Sequence, residues 1–524
     1  MLFCISILVT SCSKAPNYAS MIPSDAIAVV DLKLDQIAKH GDLKNADQLS
    51  FVKLLRQEIR NEGDELSSLV DGIFDDPAST GLDMQGDVAL FVSPSLQVSA
   101  VATVKNKSKF DKLVNKILEN TGVEVSSVKG TSVIKEDALG LQMAWDKSRL
   151  VISFGEKADA MALMDLEKGK SLAMNKDFAT YWKNRADISF WYSMHSLLDM
   201  VESIGGDEAL AELGEYRDEW ENASFYANVI FDKGAIRTAF DCLGVDPDSE
   251  LLKMQQQKFN DKLLAFMPEK TLAAVSMAIN MKYLVAYMLK MPDMDEIMNE
   301  EVADGITVAD LLATISGSMV TSLYDFGSDN DGDPLPLFTA AVDLEDANKV
   351  KDLLDKQSLE MRDGCWTVPS VPLFLGIKDN ILFVTDNADA AATMQRSGFD
   401  KNLAGIASKV KKGNYLYADL DIDHYPASVS GLMQRKYADL LRQYLDRAEY
   451  TMTGKTSGEF VIMLKDKKQY SLAATLRFVD DNLMVLADMA NSLGDSFADY
   501  DYDTEEAVEV LAEDEDYYID EDYD

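Results

Sequence analysis

The chain has 524 residues, 47% of them hydrophobic, and a formal net charge of −40 at pH 7. That length and apolar content suffice for more than one sizeable core, and the charge excludes nucleic acid as a partner, because phosphate contacts need a basic surface. The four cysteines and three histidines are dispersed, which argues against a duplicated disulfide or metal pair.

In chain order, the apolar run Met1 to Val9 ends in Val9-Thr10-Ser11-Cys12, the small-residue pattern that precedes the lipidated cysteine of a bacterial lipoprotein. It predicts a signal peptide over 1–11, acylation of Cys12 and a lipidated linker over 12–20. Signal peptides ordinarily carry a basic start and run to roughly 15–30 residues, whereas no Lys or Arg precedes Lys14, so the leader is expected to be N-terminally truncated. No later apolar run reaches the roughly 18–20 residues that cross a bilayer. The expectation is therefore anchoring through lipid rather than spanning.

The remainder reads as two tandem related repeats, over 21–265 and 266–495. Met21-Ile-Pro-Ser-Asp-Ala-Ile-Ala-Val-Val30 returns as Met267-Pro-Glu-Lys-Thr-Leu-Ala-Ala-Val-Ser276, and Lys157-Ala-Asp-Ala-Met-Ala-Leu-Met164 as Asn387-Ala-Asp-Ala-Ala-Ala-Thr-Met394. Each copy opens with a strand, Ala26 to Leu34 or Leu272 to Ile279. In the first, Phe51, Leu54, Leu55 and Ile59 follow at helical spacing. Strand pairs are predicted at Val88 to Val92 with Val98 to Val104, and at Met319 to Leu323 with Leu337 to Val342. Ser108 and Asp111 resemble a capping box for a helix bearing Phe110, Leu113, Val114 and Ile117. Hairpins follow over Leu141 to Phe154 and Phe374 to Val384. Each copy closes on a hairpin, turning at Asp232-Lys-Gly234 or Lys465-Asp-Lys-Lys468, and a helix at Ser249 to Leu264 or Asn482 to Leu493. Strand pairs interleaved with helices give an α+β fold, mainly antiparallel, with helices packed on the sheets.

Residues 496–524 form an acidic tail, predicted to be disordered. From Asp499 to Asp524 there are fourteen acidic residues and no basic one, and such a block repels itself and buries too little apolar surface to fold. Its Asp499, Tyr500, Tyr502, Glu513, Tyr517, Tyr518 and Tyr523 are the candidate contacts to an envelope protein.

Catalytic motifs are absent from the sequence: there is no Gly-x-Ser-x-Gly, no His-Glu-x-x-His, and His40, His195 and His424 stand apart. Thr453-Gly-Lys-Thr456 lacks the upstream glycine of a phosphate-binding loop, with Glu449 in its place. Asp325 to Asp333 does not keep the spacing of a calcium loop and reads as a connection between strands. Met288, Met291, Met294 and Met298, along a helix interrupted by Pro292, are weak candidates for Cu(I), which thioethers suit; core filling is the plainer role. No cofactor is expected. The expected function is non-enzymatic binding or scaffolding, with the cleft between repeats as the ligand site. The alternatives are an envelope hydrolase with a carboxylate-lined cleft and a periplasmic Cu(I) or calcium binder. A further alternative is an assembly subunit that recruits a partner along a strand edge.

The lipobox Val9 to Cys12, the Met21-Ile-Pro start, the duplicated organisation and the acidic end together resemble an uncharacterised family of lipoproteins from Bacteroides-type bacteria, domain of unknown function 4836 or a close relative. The resemblance implies an outer-membrane anchor and carries no site residues. Ser13-Lys-Ala-Pro-Asn17 after the cysteine lacks the acidic residues of surface-exposed lipoproteins in such bacteria, which points to the periplasmic face.

Overall fold

The computed structural model describes residues 17–486 except 62–70, 74, 120, 212–219, 247, 256–257, 292–293, 304, 329–331, 358, 369–370, 400–404 and 431–434. The fold is α+β, and its frame is one twenty-stranded antiparallel sheet. The first half supplies β1 (Ala28–Lys33), β2 (Asp87–Val92), β3 (Val98–Thr103), β4 (Ser126–Val128), β5 (Thr131–Glu136), β6 (Leu141–Trp145), β7 (Arg149–Phe154), β8 (Ile188–Ser193), β9 (Ser224–Asp232) and β10 (Ala235–Leu243). The second half supplies β11 (Ala273–Ala278), β12 (Ile315–Ser328), β13 (Pro334–Leu344), β14 (Glu360–Arg362), β15 (Cys365–Thr367), β16 (Phe374–Lys378), β17 (Ile381–Thr385), β18 (Tyr415–Asp419), β19 (Leu445–Met452) and β20 (Gly458–Leu464). A small ribbon, Glu301–Ala303 with Ile306–Thr307, stands outside this sheet.

Across the sheet the first half runs β4-β5-β6-β7-β3-β2-β1-β8-β9-β10, and the second continues β20-β19-β18-β11-β12-β13-β17-β16-β15-β14. The two orders are the same when read outward from the join. The halves meet where β10 pairs antiparallel with β20, Ala235 opposite Met463 through Phe240 opposite Gly458.

Hydrogen bonds fix how the halves correspond. Ile27 donates to Val92 O and accepts from Ser193 N, while Leu272 donates to Leu323 O and accepts from Asp419 N. Pro23 therefore corresponds to Pro268, one residue away from the alignment of Met21 with Met267. The sheet requires this shift, because a one-residue slip would carry every side chain to the wrong face. Buried Val29 and Asp31 then match buried Ala274 and Ser276. The helices Ala160–Met164 and Ala388–Arg396 are likewise capped by Asp159 and Asn387, two residues out of step with the alignment of Lys157 with Asn387.

One face of the sheet is covered in both halves. Phe178, Tyr181 and Trp182 of the helix Lys176–Lys183 pack with Val29, Phe91, Val151 and Trp191, and Leu263, Leu264, Met394 and Val410 pack with Val320, Phe383 and Tyr415. The other face is covered toward the outside of each half. There Phe110 and Val114 of the helix Lys107–Leu118 meet Ala102, Trp145 and Leu150. This helix is tied down by Trp145 Nε1 donating to Asp111 Oδ1 at 2.7 Å; in the second half Trp366 Nε1 donates to Asp355 Oδ1 at 3.0 Å, on the helix Ala347–Lys356.

Several local expectations are corrected. The helix over 107–118 is capped by Asn106, which accepts from Lys109 N, leaving Asp111 for the indole. The helix expected around Phe51 to Ile59 is present as Ser50–Asn61, with Leu54 and Leu55 exposed. The last hairpin turns at Thr453–Ser457, where Thr453 N and Gly454 N both donate to Ser457 O, and Lys465 to Lys468 instead lead into the helix Ser471–Asp481. Between the halves, Ser249 to Leu264 divides into a helix, Glu250–Met254, and a 3-10 turn, Asp261–Phe266.

Candidate functional site

Where the halves join, the sheet face opposite the two main cores is only partly covered. Strand alternation puts Phe190 and Tyr192 of β8, Phe225 and Ala227 of β9, Phe240 and Cys242 of β10, Tyr450 and Met452 of β19, Leu416 of β18 and Val275 and Met277 of β11 on this face. Phe190 is 41% exposed, and Val275 and Leu416 38% each. Large apolar side chains left this open on neighbouring strands are the unusual observation, since a scattered one would need no account.

They line two adjoining half-open cavities. The first, about 460 Å³, lies over Phe190, Tyr192, Phe225, Phe240 and Tyr450, with Trp220, Leu252 and Lys455 around it. The second, about 440 Å³, lies over Val275, Met277, Leu284, Leu416 and Met452, with Met254 above. Tyr450, Met452 and Gln255 belong to both, so the two form one trough. The helix Glu250–Met254 roofs it: Ser249 caps this helix by accepting from Leu252 N, and Met254 O accepts from Asn280 N at 2.7 Å. Gly458 admits the ring of Phe240, since a Cβ there would stand 2.4 Å from it. That ring stacks on Tyr450, 6.0 Å between centroids and 10° between planes.

The trough is nearly without charge. Its lining includes Asp241, which accepts from Thr456 Oγ1 at 2.6 Å, and Lys455 in the turn between β19 and β20. Cys242 is a free thiol, pushed up to about 12 by burial and by Asp241, so it is protonated and a poor nucleophile at neutral pH. Cys365, also free, is buried in β15.

The ionisable groups cluster away from the trough. Asp31 is fully buried in β1 on the covered face. Arg185 Nη1 reaches Asp31 Oδ1 at 2.9 Å and Asp87 Oδ2 at 2.5 Å, its guanidinium lies 4.0 Å from the centre of the Trp182 ring, and Tyr18 Oη donates to Asp31 Oδ2 at 2.8 Å. Burial raises Asp31 to about 6; Arg185 opposes the rise and Asp87 adds to it. The equivalents of Asp31 and Asp87 are Ser276, which donates to Val410 O, and Ser318, which accepts from Asn260 N. The charged network thus exists in the N-terminal half, where it pins Tyr18, near the end of the expected linker. A second buried carboxylate, Glu449 on β19, meets Lys409 and Arg447; burial would raise it, but these two cations hold it below the usual carboxylate range.

Of the residues singled out in the sequence, Met288 ends the helix Met281–Met288, and Met294 and Met298 lie on a separate helix, Met294–Asn299, with Met298 buried. Met291 lies in the connection between them. Among the described residues no group of three His, Cys, Asp or Glu could hold a metal. Asp325 belongs to β12, opposite Leu337. His40 Nδ1 bonds Asp187 and His424 Nδ1 bonds Asp419, in separate places. Cys12 and the tail residues Asp499, Tyr500, Tyr502, Glu513, Tyr517, Tyr518 and Tyr523 lie outside the described residues. Neither the trough aromatics nor the Arg185 network was singled out; the sequence signal for the network was an aspartate inside the apolar run Ala28-Val-Val-Asp-Leu32.

Fold and site define an α+β protein whose two similarly ordered halves share one sheet and enclose an apolar trough at their join. The chain belongs to the family described as Domain of unknown function (DUF4836), whose sequence profile matches residues 18–472. No curated protein matches it. Among solved structures, crystal form I of TP0453 is similar over 73% of this chain and 98% of that one, at 9% identity and a TM-score of 0.22, a likeness too slight to support any statement about this chain. Among the described residues, no helix is long and apolar enough to cross a membrane.

Proposed function

We propose that this chain is a lipid-anchored envelope protein, held at the outer membrane through Cys12 and facing the periplasm, and that it binds an apolar small molecule in the trough without catalysis. The observation that carries the reading is the lining: two joined cavities of about 460 and 440 Å³, in the size range of ligand pockets (roughly 300–1,000 Å³), walled by aromatic and aliphatic side chains. Burying a side-chain-sized apolar group in such a wall is worth about 1.5–3 kcal/mol. A hydrolase of the carboxylate type needs paired acids facing its substrate, whereas among the described residues around this trough the one acid is Asp241, whose strand neighbours Phe240 and Cys242 are the ones that face it. The outermost strands β4 and β14 are three residues each, a short template for strand addition, which favours the trough over the sheet edges as the place of binding.

The test is titration of the delipidated full chain with 11-(dansylamino)undecanoic acid. Saturable enhancement of emission is expected, and it should be abolished by Leu416→Glu, which sets a charge in the trough wall. No saturable binding overturns the proposal. Labelling of the wild type with radioactive palmitate, lost in Cys12→Ala, checks the anchor.

A further inference from the structure

The two ends of the trough are made of different material, and the correspondence between the halves shows at which positions they differ. Phe190 pairs with Val30 and Ala227 across β1-β8-β9; its counterpart Leu416 pairs with Val275 and Tyr450 across β11-β18-β19. Two steps further on, Tyr192 and Phe225 face each other, with rings 6.3 Å apart, where the second half has Ala418 facing Ala448. At three positions the first half thus holds a ring (Phe190, Tyr192 and Phe225) where the second holds an aliphatic group (Leu416, Ala418 and Ala448), while at Ala227 and Tyr450 the exchange runs the other way. Trp220 stacks on Phe225, 5.5 Å between centroids and 22° between planes, and extends the aromatic end. At the other end Met254, Met277, Leu284 and Leu416 make a mostly aliphatic wall, with Tyr450 standing between the two ends.

Flat aromatic walls favour a planar ring, which gains offset or edge contacts with them worth about 0.5–1.5 kcal/mol each beyond burial. Flexible thioethers and branched aliphatics adapt to a chain with many conformations. From this division we infer that the ligand is a single molecule made of a planar, weakly polar ring joined to an aliphatic tail, the chemistry of a prenylated quinone. Its ring lies against Phe190, Trp220 and Phe240 and its tail against Met277 and Leu416. This inference rests on the reading of the trough as an apolar binding site and adds the class of ligand and its orientation.

The experiment is displacement of 11-(dansylamino)undecanoic acid from the full chain by three competitors: 2-methyl-1,4-naphthoquinone (ring alone), farnesol (tail alone), and 2-methyl-3-farnesyl-1,4-naphthoquinone (both joined). Joining makes the second contact intramolecular, so the joined compound should compete on the order of 100-fold better than either piece. Phe190→Ala, at an exposed position, should weaken the joined compound about tenfold and leave farnesol unchanged; Leu416→Ala should weaken farnesol and the joined compound alike. If the joined compound competes no better than farnesol, or if Phe190→Ala weakens farnesol equally, the ring-and-tail inference is overturned while the apolar site stands. If the dansyl probe itself does not bind, the site reading falls and this inference with it.

Discussion

Arg185 holds Asp31 across the covered face of the sheet, Nη1 to Oδ1 at 2.9 Å, with the aspartate fully buried and the arginine side chain 11% exposed. Removing one partner of a buried pair leaves the other charge uncompensated, which typically costs about 3–5 kcal/mol, and here Asp87 loses the same cation. Arg185→Ala should therefore lower the unfolding free energy, measured by urea titration, by an amount in that range. Arg185→Lys should recover only part, because one ammonium lacks the planar fork and the stacking on Trp182. A loss below about 1 kcal/mol in Arg185→Ala would contradict this account.

The pH dependence follows from the raised Asp31 carboxyl. The folded protein takes up this proton at about 6, and the unfolded chain near the ordinary 3.8. Between those values the native state binds more protons than the unfolded state, so this group's contribution falls as pH rises and is lost above about 6. Asp31→Asn lacks the proton. The stability of wild type minus that of Asp31→Asn should thus decrease from pH 4 to pH 7, measured by urea unfolding at each pH; a difference that stays flat or rises would refute the assignment.

Gly376 and Phe383 face each other across β16 and β17, and a Cβ at 376 would stand 2.2 Å from the phenyl Cζ. Their counterparts are Ala144 and Val151, so a smaller ring-free neighbour accompanies the larger residue. Gly376→Ala should cost about 1–3 kcal/mol by overpacking, and Phe383→Leu in the same chain should relieve part of it. Thermal unfolding of the single and double variants tests this, additive losses being the contrary result.

Ending the chain after residue 265 would strip β20 from β10, leaving the 235–243 edge unpaired. Such an edge recruits other strands. The fragment should self-associate, as seen by light scattering on a sizing column, whereas the full chain should not do so through this edge. A stably monomeric fragment would show that the join is not the adhesive surface described here.

Much of the strand content was legible because alternation and turn residues are local. Leu141 to Phe154 and Phe374 to Val384 form the hairpins expected, the second turning through Asp379 and Asn380, both at positive φ, as a tight two-residue hairpin requires. The pairing of β10 with β20 has no local mark, since it joins residues more than two hundred positions apart. The last hairpin was misplaced because Lys465-Asp-Lys-Lys468 has turn composition, but the backbone reverses at Gly454. The trough was legible only as a general place, the cleft between repeats. Phe190, Trp191 and Tyr192 are consecutive aromatics, and the sheet's register sends Trp191 into the core and the other two outward.

At the join, Ala239 faces Glu459, and by strand correspondence these are the same position in the two halves. In a symmetric dimer of identical subunits a residue on the axis faces its own copy. A single chain is free of that constraint, and here the two sides differ. The trough therefore has a heading: a molecule lying in it meets rings toward one end and aliphatic groups toward the other, so its two possible directions are unequal in energy.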